Sequence, residues 1–467
     1  MSLSLPPGPR MPSALQALGW ALRPLPFMER CNNRYGEIFT LRVRRGRPWV
    51  VLTDPADVKL LFTTDASAVR AGAVAASPVL EPLLGSRSVM LLDEPEHMTH
   101  RKLMLPAFRS TRMSAYDNLI TRVARREISQ WPVGEPFALW PRMQAITTEV
   151  ILRAVFGPLE EPKLTHLSGL LRRMTAQLND PRRLAILTAV GPGRLSHSER
   201  LREVMRPVES AVLEEVRRRR ASPNGESSQD ILAMLERAHD QDGSPMDEKQ
   251  VRDEVLTLLS DGPTATSLAW AFECLMRHPE KLARLREEAL AGREYSYADA
   301  VAKETLRLCP VVPLVMRELT QPMRIRGYTL PAGIIVAAGV YLIHRREDIY
   351  PQSRTFLPER FLDQNAPTYA WIPFGGGVRR CLAANFAQLT IRRVMQTVLT
   401  EVDLQAVSAS GSEHAARSSV AFVPNEQAMA IVTRRIGPPA GERLEDAIGD
   451  EPERAERREA GTLAETG

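Results

Sequence analysis

The chemistry of this sequence concentrates in a cysteine that follows a run of glycines. The stretch is Trp371-Ile-Pro-Phe374-Gly-Gly-Gly377-Val-Arg379-Arg-Cys381-Leu-Ala383. Three successive glycines permit backbone conformations that side chains forbid, and let the chain pass close to something flat. Cys381 sits at the start of an amphipathic helix with Leu382, Phe386 and Leu389 on one face. A helix N-terminus offers free N–H groups and a positive dipole end, which favour thiolate over thiol. The remaining cysteines, Cys31, Cys274 and Cys309, are far away in sequence and form no CxxC pair. Neither a zinc cluster nor a disulfide framework is indicated.

A lone thiolate in such a loop suits a single axial bond to haem iron. The loop resembles the haem-binding signature of cytochrome P450, with Phe374, Gly377, Arg379 and Cys381 at that family's spacing. By this resemblance Cys381 is the proximal ligand of haem b, Phe374 shields the sulfur, and Arg379 pairs with a propionate. The family usually has glycine two residues past the cysteine. This chain has Ala383, whose methyl is expected to crowd haem or helix slightly. His97-Met-Thr-His-Arg101 spaces two cationic donors by one helical turn. The resemblance makes His97 and Arg101 propionate partners, and Arg317, after Pro310 and Pro313, another. Glu304-Thr-Leu-Arg307 puts acid and base on one helix face. Together with Arg360 in Phe356-Leu-Pro-Glu-Arg360-Phe361, it resembles the family's buried Glu-Arg-Arg cluster, which locks the loop leading to the cysteine.

The resemblance also implies a long distal helix in which an acid followed by Thr delivers protons for O–O cleavage. The candidate helix runs from Val251 through Ser260-Asp261-Gly262-Pro263-Thr264-Ala265-Thr266 to His278-Pro279. One register puts Thr264 at the acid's place and Ala265 at the alcohol's. The register preferred here, set by His278-Pro279 and Trp270, puts Gly262 and Pro263 there. Either loses the usual pair. Pro263 has no N–H, so the Leu259 carbonyl loses its helical partner and a kink is expected while the side-chain relay is not. Ser260 and Thr266, one turn to either side, could organise water; Asp261 should point elsewhere. The expected activity is a monooxygenase that inserts one atom of O2, with water or a substrate hydroxyl completing the proton path. Two alternatives stay open. One is a peroxide-driven, rearranging or coupling enzyme, since some peroxide-using relatives carry proline here, although they precede it with an arginine where this chain has Gly262. The other is a haem sensor without turnover.

The elements that must position these residues are legible from periodicity. Residues 38–43 and 49–53 read as strands, Asp54-Pro55 opens a short helix, and 96–300 is almost wholly helical, with long segments at 113–130, 141–156 and 200–220. Short strands are expected over 322–345, with turns at Arg326-Gly327 and Pro331-Ala332-Gly333. The expected class is mostly α with small β-sheets: a cytochrome P450 fold with a proline-rich lead-in at 1–29, one large haem domain at 30–436, and a charged, disordered tail at 437–467. Across 467 residues, 44% are hydrophobic and 25% charged, with net charge +5. That composition excludes collagen, coiled coil and a wholly disordered chain, and the slight basic excess gives no argument for nucleic acid. Prolines interrupt the N-terminal apolar stretch, so no membrane span or signal peptide is expected, and a reducing cytoplasm fits the cysteines. Residues 71–92 and Val311–Val315 resemble substrate-facing segments and carry few charges, which implies a hydrophobic small molecule. With no flavin or nicotinamide domain, the expected enzyme is a monomer served by a separate ferredoxin or flavodoxin and its reductase. Arg101, Lys102, Arg109, Arg112, Arg380, Arg392 and Arg393 are candidates for the docking face.

Overall fold

Helical periodicity through the middle of the chain becomes a stack of packed helices, while the ends and the 315–338 region supply small sheets. The computed structural model describes residues 5–43, 47–75, 80–178, 196–221, 229–239, 242–260, 262–292, 295–362, 366–408, 413–418 and 421–436. The tail expected at 437–467 and Asp261 lie outside the described residues. The longer helices are α1 (Ser13–Leu22), α2 (Pro24–Tyr35), α3 (Pro55–Thr63), α4 (Glu96–Met104), α5 (Met113–Ile128), α6 (Leu139–Phe156) and α7 (Glu161–Leu178). They continue as α8 (Ser196–Arg220), α9 (Glu248–Leu259), α10 (Gly262–Met276), α11 (Pro279–Ala291), α12 (Ser296–Leu308) and α13 (Ala384–Glu401).

Local chemistry sets several boundaries. Asp54 caps α3 by accepting from the Ala56 and Asp57 amides, and Pro55 sits where its missing N–H costs nothing. Asp247 and Gln250 form a reciprocal capping box at the start of α9. Gly157, at φ +72°, ends α6.

The largest sheet has strand order β1-β2-β8-β5-β3, from β1 (Ile38–Leu41), β2 (Trp49–Leu52), β3 (Val69–Arg70), β5 (Val315–Leu319) and β8 (Ile335–Ala338). Its pairings are antiparallel except β2 with β8. β6 (Met323–Ile325) and β7 (Tyr328–Leu330) form a hairpin around Arg326 and Gly327, both at positive φ. β12 (Met429–Arg435) lies between β4 (Pro136–Ala138) and β9 (Val402–Ala406), and β10 (Ala415–Ser418) pairs with β11 (Ala421–Pro424). The main core is helical, built by α5, α6, α9, α10, α12 and α13. A second apolar cluster lies between α3 and the largest sheet.

The helix expected on the distal side departs from a continuous element. α9 stops at Leu259 and α10 starts at Gly262, with the Gly262 amide bonded to the Ser260 carbonyl at 2.8 Å. Pro263 is the second residue of α10. There it replaces an N–H that would have no helical acceptor, so the proline opens a helix rather than kinking one.

Candidate active site

The cysteine loop is suspended from α12. Glu304 and Arg307 on that helix are fully buried, joined by Nε–Oε2 and Nη2–Oε1 hydrogen bonds of 2.6 and 2.8 Å. Arg307 also donates to the carbonyls of His344 (2.6 Å), Ser353 (2.7 Å) and Thr355 (3.3 Å). Glu304 Oε1 accepts from the Leu357 amide at 2.8 Å and from Arg360 at 3.2 Å. The three-residue cluster is therefore assembled, and His344 extends it. Its Nδ1 lies 3.2 Å from the Arg307 carbonyl, and its Nε2 accepts from the Ile372 amide at 3.0 Å. Trp371 donates to the Lys303 carbonyl at 3.1 Å. One largely buried network thus runs from α12 into the segment that leads to Phe374.

Beyond Phe374 the loop closes on itself, the Cys381 amide donating to the Phe374 carbonyl at 2.9 Å. Gly375 and Gly377 have φ of +68° and +65°. At Gly377 a Cβ would also meet the Phe62 carbonyl oxygen at 2.1 Å, so α3 is the surface this part of the loop approaches. Cys381 is the exposed member of the four cysteines. It stands in a turn before α13, whose N-cap is Ala383 at φ −90°. That is ordinary backbone for any residue, and the Ala383 side chain packs against the helical core. The expected crowding of the helix by its methyl does not occur. The Phe374 ring lies 6.1 Å from that of Trp371.

Three arginines and a histidine converge beside this turn. His97 is buried, with Nδ1 2.7 Å from Glu94 Oε1. Burial, then the positive field of Arg379, push its imidazole down to about 4. Burial followed by the same Arg379 field takes Arg317 down to about 10. Arg317 is 7% exposed, its hydrogen bond goes to the neighbouring Met316 carbonyl, and its guanidinium lies over the Phe62 ring. Arg379 donates to the Leu92 carbonyl at 2.6 Å and to Asp93 at 3.3 Å. Asp93 is already committed to the Ala71, Gly72 and Ala73 amides. Burial pushes Arg101 below its ordinary range, with neighbouring Cys381 acting against that shift, and its side chain has no hydrogen bond or ion pair among the described residues. A buried cation without a full partner is costly. The cluster fits a group that brings its own carboxylates next to Cys381.

Among the described residues no group of three or more His, Cys, Asp or Glu side chains could hold a metal ion. A cytochrome P450 family model matches residues 5–430. The chain belongs to the cytochrome P450 family. Members are haem monooxygenases that bind the iron through a cysteine thiolate. A putative cytochrome P450 135B1 of Mycobacterium tuberculosis is 38% identical over 91% of both chains. A putative cytochrome P450 138 of the same organism is 35% identical over 92% of this chain and 97% of its own. The solved structure of a retinoic acid-bound cyanobacterial CYP120A1 superposes with a TM-score of 0.78 at 24% identity, over 93% of this chain and all of that one. No helix among the described residues is long and apolar enough to cross a membrane.

The hydroxyls expected on the distal side are engaged. Thr266 Oγ1 donates to the Gly262 carbonyl at 3.2 Å and accepts from Trp140 Nε1 at 3.3 Å. Ser260 donates to the Thr257 carbonyl at 2.6 Å. Thr264 is buried at the third position of α10. Gly262 is open: a Cβ there would meet nothing within 4 Å.

Three side chains of α9 have roles that motif matching missed. Asp253 accepts from the Arg87 amide (2.8 Å), Glu254 from the Val89 amide (3.0 Å), and Thr257 donates to Ser88 (2.7 Å). They pin residues 87–89 of the 71–92 segment expected to face substrate. The available signal was two adjacent acids beside the apolar positions Val251, Val255 and Leu256 of the helix.

The basic docking candidates divide. Lys102, Arg109 and Arg380 are exposed and unpaired among the described residues. Arg112 instead donates to Gln229, Arg392 pairs with Asp299, and Arg393 with Asp117.

Proposed function

We propose that this P450 holds haem b through the Cys381 thiolate and oxidises a hydrophobic small molecule in the cytoplasm, using O2 and electrons from a separate ferredoxin or flavodoxin with its reductase. The reading rests on the cationic convergence at Cys381, above all on buried Arg317 and unpaired Arg101. With His97 and Arg379 these would bind the propionates, while Phe374 shields the sulfur and the Gly375–Gly377 turn keeps the loop rigid. The bound haem supplies the oxygen-activating chemistry.

The chain's own work is then to bind, exclude water and deliver protons. Apolar surface from the 80–92 segment and Val311–Val315 would hold substrate by burial, at ~25 cal/mol per Å². Gly262 and Pro263 open the helix beside the reacting face. Thr266 and Ser260 both spend their hydroxyl protons on backbone carbonyls, leaving lone pairs that can accept from water. Protons would therefore arrive through water ordered by Ser260, Thr264 and Thr266, or from a substrate hydroxyl. Lys102, Arg109 and Arg380 form the basic surface offered to an acidic electron donor.

The same engaged hydroxyls favour a second reading, peroxide-driven turnover. Product formation with surrogate ferredoxin, reductase and NADPH under air supports the first reading; product only with hydrogen peroxide replaces it with the second. The haem assignment itself is tested by the carbon monoxide spectrum of the reduced protein, which should carry the thiolate Soret band in wild type and lose it in Cys381→Ser.

A further inference from the structure

Helix α1 turns its three leucines outward, while Trp20 packs against Trp49. Its inner face is fixed by Gln16, fully buried, which donates to the Pro9 and Met11 carbonyls and accepts from the Arg42 amide at 2.7 Å. The preceding residues are tied down as well: the Pro6 and Pro7 carbonyls accept from the Thr40 hydroxyl and amide of β1. The rotation of the helix is therefore set by the fold. On the opposite side Met11, Leu15, Leu18 and Leu22 are 44, 54, 52 and 71% exposed. Leu15, Leu18 and Leu22, spaced by three and four, make one helical stripe, and Met11 just before the helix lines the same groove. A surface helix ordinarily turns such a stripe inward, and an outward one marks an interaction surface.

The charges around it identify the occupant. Arg10 and Arg23 bracket the helix, and Arg30, Arg34 and Arg42 line the same groove; all five are exposed, and no acid lines it. The sequence from 1 to 47 holds eight arginines against Glu29 and Glu37. A second copy of this chain would bring arginines against arginines. Guanidinium groups beside leucines suit phosphates above an acyl layer.

We propose that α1 and its arginine rim dock this protein on an anionic phospholipid bilayer surface, with Met11, Leu15, Leu18 and Leu22 entering the headgroup–acyl boundary. The helix lies in the plane of the surface, its length of about 15 Å too short to span. Docking of this kind is peripheral and reversible, and weakens with salt.

The test uses the full-length protein and sedimented vesicles, either one part phosphatidylglycerol to two parts phosphatidylcholine, or phosphatidylcholine alone. The protein should co-sediment with the anionic vesicles, and raised salt should lower that partitioning by about an order of magnitude. A Leu15→Ser/Leu18→Ser variant should lose most of the binding, and Arg30→Gln/Arg34→Gln its preference for anionic lipid. Both pairs of sites are exposed, and circular dichroism checks that each variant folds like wild type. Equal partitioning to both vesicle types, no partitioning to either, or variants that bind like wild type would overturn the proposal. So would a concentration-dependent dimer in sedimentation velocity that the leucine variant abolishes, which would assign the stripe to a second copy.

Discussion

Glu254 Oε1 lies 2.7 Å from His100 Nδ1, joining α9 to α4 between two side chains that are almost wholly buried. The same oxygen accepts from the Val89 amide, while Oε2 has no hydrogen-bond partner. Burial pushes the Glu254 carboxyl above its ordinary range. One buried carboxylate thus ties the helix carrying His97 and Arg101 to the loop expected to cover substrate. Glu254→Ala strands a buried imidazole and a buried amide, each worth ~1–3 kcal/mol. We expect a loss of about 2–4 kcal/mol in chemical denaturation and a weaker substrate-induced spectral shift. Glu254→Gln, which keeps an acceptor, should lose less than half as much. A variant as stable as wild type would remove the tie.

Removing Arg307 should cost more than removing any other single arginine. Its guanidinium serves Glu304 and three carbonyls in full burial. Breaking such a pair from one side costs ~3–5 kcal/mol. Because the network continues through His344 to the Ile372 amide, loss should also reach the cysteine loop. Arg307→Ala is expected to lower haem occupancy, read as Soret absorbance per protein, along with the melting temperature. Arg307→Lys should rescue neither, since an ammonium cannot reproduce the fork. Normal occupancy in Arg307→Ala would separate the cluster from the loop.

His344 makes the same network acid-sensitive. Burial, with Arg307 and Arg345 alongside, pushes its imidazole down to about 3, and the Tyr350 ring packs against it. In the unfolded chain histidine titrates near 6.5. Below that pH the unfolded chain gains a proton that the native state refuses. The contribution is therefore complete above about pH 6.5 and is lost as pH falls from there toward 3. Melting temperatures between about pH 7.5 and 4.5 should fall more steeply for wild type than for His344→Gln, which has no such proton to take up. Parallel slopes would place the acid sensitivity elsewhere.

What could be read from the sequence follows the range over which the signal acts. Strands 38–41 and 49–52 and the helices 113–128 and 139–156 are carried by local periodicity and by turn or cap residues such as Asp54. β3, β4 and the pairs among β9–β12 left no comparable local mark. They are three to seven residues long, apart from the two-residue β3, and exist through pairing with distant segments, such as Ala430 with both Phe137 and Ala406. At the site, Cys381, Glu304, Arg307 and Arg360 stood out because fixed spacings carried them. His344, Asp253 and Glu254 did not, because what makes them matter is burial against backbone groups 28 to 166 residues away. The proline was visible. Its placement as the second residue of a new helix depended on the chain breaking at Ser260, which proline alone does not dictate.

That placement makes Pro263→Thr an informative change. At the second position of α10 the restored N–H has no helical acceptor to satisfy, so the substitution should move stability by no more than about 1 kcal/mol. Gly262→Asp is equally permissible, since a side chain there enters open space and φ is not in the left-handed region. Together the two rebuild the acid–alcohol pair whose place Gly262 and Pro263 take in the preferred register. With surrogate ferredoxin and reductase, the double variant should convert a larger share of NADPH into product and a smaller share into released peroxide. A positioned proton donor is worth ~10²–10⁴-fold in a step it limits, so a shift of a few-fold in product per NADPH is a conservative expectation. If coupling instead falls while peroxide-supported turnover is unaffected, the native Gly262-Pro263 opening is itself what orders the proton-carrying water. Unchanged coupling in a stably folded double variant would mean that the proton path avoids this turn of the helix, and that neither residue belongs to the catalytic machinery.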